Sequence, residues 1–383
     1  MSRILLLCAE LRGIGGVERL LAGLSALLAA RHEVHVASFD PPETTPGVPL
    51  AVPFHPLGSG RAGPAVLRPL TYGAQRDRLR RLERELGIDV TISNLWRADL
   101  VSALARQGRG GPRRIALAHI NVVGNPTNRL MLRLRPLVAA AYRRLDCLVA
   151  VSEALAGELA GLYRLPADRV RAIPNFVRVP ADLGGQSRLA GRLVWCGRIV
   201  PEKNLPALVA IVAGMAGAGQ AVSLDVIGDG PERVAAERAA EPAPHAIRFL
   251  GQLGDPLTVI ARAAALVLPS RSEGLPMVLL EALALGTPVV AADCAGGGVH
   301  QALRAETPHD PSRDAAEIVP AGMLLPVPDS AAHRELWATV LADLLADAPR
   351  LAAAAKAARA LAADHTPEAV AGTWERLLAE VMV

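Results

Sequence analysis

Two α/β domains, each built on a parallel sheet with helices on both faces, are what this sequence predicts. Three observations predict it. At 383 residues the chain is long for a single core and suits two domains of ordinary size. Short apolar runs alternate with stretches of helical periodicity, and a repeated β-then-α order gives parallel sheets. One segment rich in Pro, Gly and polar residues, Arg178 to Gln186 (RVPADLGGQ), divides the alternation into halves and reads as a linker.

The first half opens with Ile4–Leu7, an apolar run too short for a signal peptide and so read as a strand. The glycine loop Gly13 to Gly16 (GIGG) follows and leads into a helix starting near Val17. Val34–Ala37, Val90–Ile92, Ile115–Leu117, Cys147–Val151 and Val170–Ile173 are the next strand candidates. In the second half they are Leu193–Cys196, Leu224–Ile227, Ile247–Leu250, Leu266–Leu268 and Val289–Ala291. The charge-free stretch Leu205 to Leu224 contains Pro206, three glycines and Gln220, so a buried helix and a strand fit it better than a membrane span. Near the end, Trp374, Leu377 and Leu378 share one face of a helix over about Pro367 to Met382.

Composition agrees with this reading: 51% hydrophobic but 3% aromatic residues suit an Ala/Leu/Val-rich α/β protein and exclude disorder. Cys8, Cys147, Cys196 and Cys294 are widely spaced, with no C-x-x-C and no histidine cluster at metal-ligand spacing. Reduced thiols in a cytoplasm and no metal site are the expectation. Charge is uneven, with 17 arginines against 6 acids between Arg61 and Asp146 in a chain of net charge +4. Within that stretch Asn128 to Leu145 sets arginines beside Leu, Met and Val at helical spacing, which suits a helix lying on anionic lipid or a solvated basic face. With few aromatics to stack bases and no recognised motif, nucleic acid is not expected as a partner.

The most informative stretch is Arg271 to Val290 (RSEGLPMVLLEALALGTPVV), which sets Glu273 and Glu281 around the start of a helix. Gly274 permits close backbone approach and Pro276 suits the first helical position. The amides of the first turn, around Leu275, Met277 and Val278, lack intrahelical partners and can hold an anion. A diphosphate there places a ribose against Glu281 and a sugar against Glu273. A second constellation is CGRIVPEKN, Cys196 to Asn204, where a strand ends and releases Arg198 and Lys203 into a loop, at the carboxyl end of parallel strands where ligands bind. Lys203 and Lys356 are the only lysines among 41 Lys and Arg residues, so a lysine in that loop is hard to attribute to surface drift. In the first half, GIGG is not the dinucleotide fingerprint, because Glu18 stands where its third glycine belongs. Asp40 after the second strand keeps a nicotinamide enzyme open as an alternative. His119 follows the run Ile115–Leu117 and is a loop residue or a site residue on these grounds alone.

Taken in order, GIGGVERL, VSEAL, IPNFV, CGRIVPEKN, VIGDGPE, GLPMVLLEALALGTPVVA and GMLLPVPD resemble glycosyltransferase family 4 along nearly the whole chain. The resemblance implies the GT-B architecture: two Rossmann-like domains facing a cleft, residues 1–180 and 188–365, with a final helix from 366 to 383 crossing back to the first. It implies a retaining, metal-independent hexosyltransferase using a UDP- or GDP-sugar as donor substrate and no cofactor. Polysaccharide-assembly members suggest a saccharide or lipid-linked acceptor and peripheral contact with the inner face of the cytoplasmic membrane. On this resemblance Arg198 and Lys203 hold the diphosphate, Glu281 the ribose, Glu273 and His119 the donor sugar, and Gly15 and Gly16 a donor phosphate. A nucleotide-sugar epimerase of the same fold is the nearest alternative. One departure is AGGGVHQAL, where His300 stands at a position that many relatives give to glutamate; a polar insertion, Thr307 to Glu317, follows and reads as a variable surface loop.

Overall fold

The computed structural model describes residues 1–58, 71–108, 110–119, 132–133, 135–183 and 186–382. These form two compact units. The first takes in the described residues from Met1 to Asn175 together with the chain from Pro367 onward, and the second is Phe176–Thr366.

In the first unit, β1 (Arg3–Cys8), β2 (Glu33–Ser38), β3 (Phe54–Pro56), β4 (Val90–Asn94), β5 (Arg113–Ala118), β6 (Cys147–Ala150) and β7 (Val170–Ala172) form one sheet in the order β3-β2-β1-β4-β5-β6-β7. Every pairing is parallel. The helices are α1 (Gly16–Ala29), α2 (Tyr72–Leu86), α3 (Leu95–Ala105), α4 (Arg135–Tyr142) and α5 (Glu153–Tyr163). Strand β1 is central, and Ile4, Leu5, Leu6 and Leu7 are fully buried, as a parallel sheet covered on both faces requires. β3 was absent from the expected strands: it is three residues long, half-buried and ends in Pro56, tolerable only at a sheet edge.

Part of the basic stretch is structural. Arg114 is fully buried and reaches Glu83 through both terminal nitrogens, at 2.5 and 2.9 Å, while Thr91 donates to the same carboxylate at 2.7 Å. This ties α2 to β4 and β5. Arg106 forks onto Asp146 at 2.9 and 3.0 Å, and Arg80 donates to the carbonyls of Leu104, Ala105 and Arg106 at the end of α3.

The second unit repeats the plan. Strands β8 (Leu189–Cys196), β9 (Ser223–Ile227), β10 (Ile247–Gly251), β11 (Ala263–Leu268), β12 (Val289–Ala292), β13 (Glu317–Val319) and β14 (Gly322–Leu325) lie in the order β10-β9-β8-β11-β12-β14-β13. All pair in parallel except the β13–β14 hairpin. Its helices are α6 (Leu205–Gly217), α7 (Arg233–Ala240), α8 (Leu257–Arg262), α9 (Met277–Leu285), α10 (Gly298–Ala302), α11 (Ala331–Ala346) and α12 (Ala348–Ala362). Ser330 caps α11 by accepting from His333 N at 3.0 Å, and Asp347 caps α12 by accepting from Arg350 N at 2.9 Å. The last helix, α13 (Pro367–Met382), belongs to the first unit and buries Val370, Trp374, Leu377 and Leu378. His32 and Glu375 meet at 3.2 Å on that side.

The polar insertion lies at the surface, as expected, but it is braced. Arg313 and Glu317 pair at 3.1 Å with side chains only 10% and 11% exposed, and Glu317 itself starts β13. Its carboxylate accepts from the backbone of Glu306 and Thr307, so the segment closes on itself and onto the sheet. Among the described residues no helix is long and apolar enough to cross a membrane.

Candidate active site

In each unit the strand order reverses at one point, between β1 and β4 and between β8 and β11, and loops leaving the carboxyl ends there diverge to leave a crevice. Sequence dictates what stands at the second. After β8 the chain continues through Gly197 and Arg198 to the turn Pro201–Lys203, closed by Asn204 in the left-handed region at φ 53°. After β11 it runs through Ser270 to Glu273 and into α9.

These loops are joined side chain to side chain. Lys203 Nζ donates to both carboxylate oxygens of Glu273, at 2.6 and 2.7 Å, and Ser270 Oγ donates to Oε1 at 2.7 Å. Arg271 fastens the same loops by donating to the carbonyls of Glu202 and Pro201, at 2.8 and 2.7 Å. Glu273 is buried and its amide donates to Ala295 O at 2.9 Å, which ties it to the loop after β12 as well. Arg198 is exposed and makes no ion pair among the described residues, so its guanidinium is available to an anion.

Helix α9 starts one residue later than expected. Pro276 is the N-cap with extended backbone at ψ 132°, and Met277 is the first helical residue. No side chain caps this end, and the first intrahelical bonds are donated by Leu279 and Leu280 to Pro276 O. The amides of Met277 and Val278 therefore add positive partial charge beside Gly274 and Leu275. Glu281 lies one turn into the same helix and is buried.

Glycines let the neighbouring loops approach. A Cβ on Gly298 would lie 1.5 Å from Gly274 O, and one on Gly228, whose φ is +131°, would lie 1.8 Å from Gly197 O. Gly230 is pressed onto Ile199 O in the same way, at 2.3 Å. The glycines of VIGDGPE thus seat the loop after β9 against the loop that carries Arg198.

In the first unit the glycine loop is covered by its own helix. Gly15 is the N-cap of α1 and Gly16 its first residue, both half-buried; the Glu18 carboxylate lies where a Cβ of Gly15 would come within 2.8 Å of it. A negative charge therefore stands against these glycines, which the spacing of GIGG does not reveal. Asp40 is buried and fully engaged: Leu11 N, Arg12 Nε and Ser38 Oγ all donate to it, at 2.7, 2.7 and 2.9 Å. A carboxylate used up in holding its own loop cannot take the ribose hydroxyls of a dinucleotide. This removes the sequence ground for a nicotinamide enzyme.

His119, just past the end of β5, is buried with Nε2 3.0 Å from Asn94 Oδ1 at the end of β4. Burial pushes the imidazole down to about 4, so it is neutral near pH 7. Its Nδ1 and the Asn94 Nδ2 are buried without a hydrogen-bond partner among the described residues, and Leu95, the next residue, sits at φ +67°. This places two buried polar atoms beside a strained backbone where β4 ends.

Sequence reasoning did not find the pairing of Lys203 with Glu273, which lie 70 residues apart. It also missed a cluster at the end of β12. Asp293, fully buried at the end of β12, meets His309 Nδ1 at 2.7 Å, His300 Nδ1 at 3.2 Å and Arg313 Nε at 2.9 Å. Sequence spacing shows no such cluster, because the fold assembles it from three separate segments.

Residues 14–179 match Glycosyltransferase Family 4 and residues 190–326 match Glycosyl transferases group 1. A phosphatidyl-myo-inositol mannosyltransferase from Mycolicibacterium smegmatis is 30% identical over 298 residues, covering 73% of this chain and 72% of that one. A D-inositol 3-phosphate glycosyltransferase from Salinispora tropica is 31% identical over 266 residues, 62% of this chain. The chain spans about half the length of that relative, 50%. Sucrose-phosphate synthase from Thermosynechococcus elongatus superposes with a TM-score of 0.76 at 20% identity over 100% of this chain and 99% of that one, which shows a shared GT-B fold. With both halves matched by family and the fold shared end to end, the chain belongs to glycosyltransferase family 4.

Proposed function

We propose that this protein transfers a hexose from a nucleoside diphosphate sugar, UDP- or GDP-linked, to a hydroxyl of a saccharide or lipid-linked acceptor. The observation that carries this reading is the Lys203–Glu273 pair at the reversal point of the second sheet, beside exposed Arg198 and the uncapped start of α9. Two cations and a helix start make an anion site, and the donor's diphosphate supplies two negative charges that can displace a carboxylate from Lys203. As the glycosidic bond breaks, charge builds on the departing diphosphate, so contacts from Lys203 and Arg198 strengthen toward the transition state.

Released from part of its tie to Lys203 and still held by Ser270, Glu273 turns to the hydroxyls of the transferred sugar. Glu281 takes the ribose. The family resemblance adds His119 as a contact of the transferred sugar, and the neutral imidazole suits that role as a hydrogen-bonding group rather than a charge. It assigns Gly15 and Gly16 to a donor phosphate once Glu18 withdraws. Retention of configuration and independence from a catalytic metal follow from the same resemblance. The names of two relatives make D-inositol 3-phosphate and phosphatidyl-myo-inositol the first acceptors to screen, beside soluble and lipid-linked saccharides.

The test is a matrix of UDP- and GDP-hexoses against those acceptors, followed by product mass. Transfer that depends on acceptor supports the reading. Conversion of the donor with no acceptor present would replace it with an epimerase, and absence of any nucleotide-dependent product or binding would overturn it.

A further inference from the structure

We infer that Asp293, His300 and His309 form a binding site for a transition-metal ion of the zinc class, which clamps the polar insertion to the end of β12. One carboxylate oxygen and two imidazole nitrogens, one from each residue, lie within 4.8 Å of one another. His309 Nδ1 lies 2.7 Å from Asp293 Oδ1 and His300 Nδ1 lies 3.2 Å from Oδ2, against roughly 3.3 Å between neighbouring ligands around a tetrahedral zinc. The two imidazoles thus meet different oxygens of one carboxylate, and a shared coordination sphere closes by movement, for which His309, the most exposed side chain of the three at 24%, has the most room. A metal takes the place of the protons now shared between the carboxylate and the rings, and a water supplies the fourth position.

The donor set fits this ion: two imidazoles and a carboxylate suit zinc, cobalt or nickel and are poor for calcium or magnesium, which require oxygen ligands. Arg313 is the one feature that opposes a cation, and its charge is already met. Its Nη1 pairs with Glu317 at 3.1 Å and its Nη2 donates to Thr307 Oγ1 at 2.8 Å. What remains is Nε, 2.9 Å from Asp293 Oδ2 as a charge contact without the alignment of a hydrogen bond. Asp293 is fixed from behind, its amide donating to Leu325 O at 2.8 Å. The three ligands come from the end of β12, from α10 and from the insertion, so the ion adds a link between segments that Asp293 already gathers.

The site lies outside the donor machinery. The ion is structural and its loss is compatible with chemistry that needs no metal. The experiment uses the full chain stripped with chelator and titrated with Zn²⁺, and with Co²⁺ as a spectroscopic probe, by calorimetry, thermal denaturation and visible absorption. Expected are one ion per chain, a raised Tm, and d–d bands of a low-coordinate nitrogen and oxygen site. His300→Ala/His309→Ala should weaken the ion at least a hundredfold, while Lys203→Ala leaves it unchanged. Should the double variant prove unstable, His309→Gln alone, at the half-exposed ligand, should lose at least tenfold. Absence of a stoichiometric site, or equal affinity in the histidine variants, would overturn the inference. UDP and GDP affinity, measured in parallel on the stripped protein, keeps this outcome separate from that of the donor reading.

Discussion

Lys203 concentrates the chemistry of the second unit in one side chain. Without ligand it is held by Glu273 in a short, two-point ion pair, and the proposed donor requires it to change partners. Lys203→Ala and Arg198→Ala should therefore each cut turnover at saturating donor at least a hundredfold, roughly 3 kcal/mol of transition-state stabilisation, with circular dichroism unchanged. A loss confined to KM would show that these cations bind donor and transition state equally. His119 makes a different kind of prediction. Its imidazole is neutral in the fold down to about pH 4, whereas in the unfolded chain it takes a proton near pH 6.5. The folded pKa is depressed, so the stability it contributes is present above about pH 6.5 and is lost as pH falls toward 4, up to about 3 kcal/mol. Relative to His119→Gln, the wild type should lose that much more stability between pH 7 and pH 4 in urea titrations. Parallel pH profiles would mean that His119 is protonated inside the fold.

At the scale of elements, much was legible. All eleven apolar runs became strands, because central strands of parallel sheets are buried on both faces and read as continuous hydrophobic runs. Three strands escaped: β3 and β13 are short, partly exposed edge strands, β13 carrying a charged residue, while β14 is a buried run of only four residues, Gly322–Leu325, that starts with glycine. The site was legible where residues are close in sequence, as with Glu273 and the start of α9. It was hidden where the fold supplies the partner: Glu273 is paired with Lys203, Asp40 is consumed by Leu11 and Arg12, and Asp293 collects two histidines and an arginine. Loop contact is likewise invisible in sequence yet testable. With a Cβ only 1.5 Å from Gly274 O, Gly298→Ala must push apart the loops after β11 and β12. Donor affinity should fall at least tenfold and stability by about 1–3 kcal/mol, as overpacking usually costs. Gly254→Ala, where a Cβ meets nothing within 4 Å, is the control. Equal donor affinity in the two variants would show that the loop contact does not shape the donor site.

For the whole molecule the question is where the acceptor is met. Residues 128–131 and 134 of the Arg-rich run lie outside the described residues, but Arg133, Arg135, Arg143 and Arg144 are exposed on or beside α4. Leu137 among them is 68% exposed. Arg135 donates to Leu162 O, while the carbonyls of Arg143 and Arg144 accept from Arg169 and Arg106, so the backbone that presents these arginines is braced. Two cavities of about 330 and 390 Å³ open among them, lined by Arg135, Arg143 and Arg164 and by Arg106, Arg143, Arg144 and Arg169. We propose that these arginines and the exposed leucine contact phosphate head groups over an apolar layer, where a lipid-linked acceptor would be met; a solvated basic face is the alternative. The attraction is screened within roughly 8 Å at physiological salt, so co-sedimentation with phosphatidylglycerol vesicles should fall steeply as salt rises. Replacing Arg133, Arg135, Arg143 and Arg144 with glutamine should release the protein from the vesicles and lower activity on a lipid-linked acceptor. Nucleotide binding and activity on a soluble acceptor should be kept. If the wild type fails to sediment with anionic vesicles even at low salt, the basic face is a solvated surface, and the acceptor is met in solution.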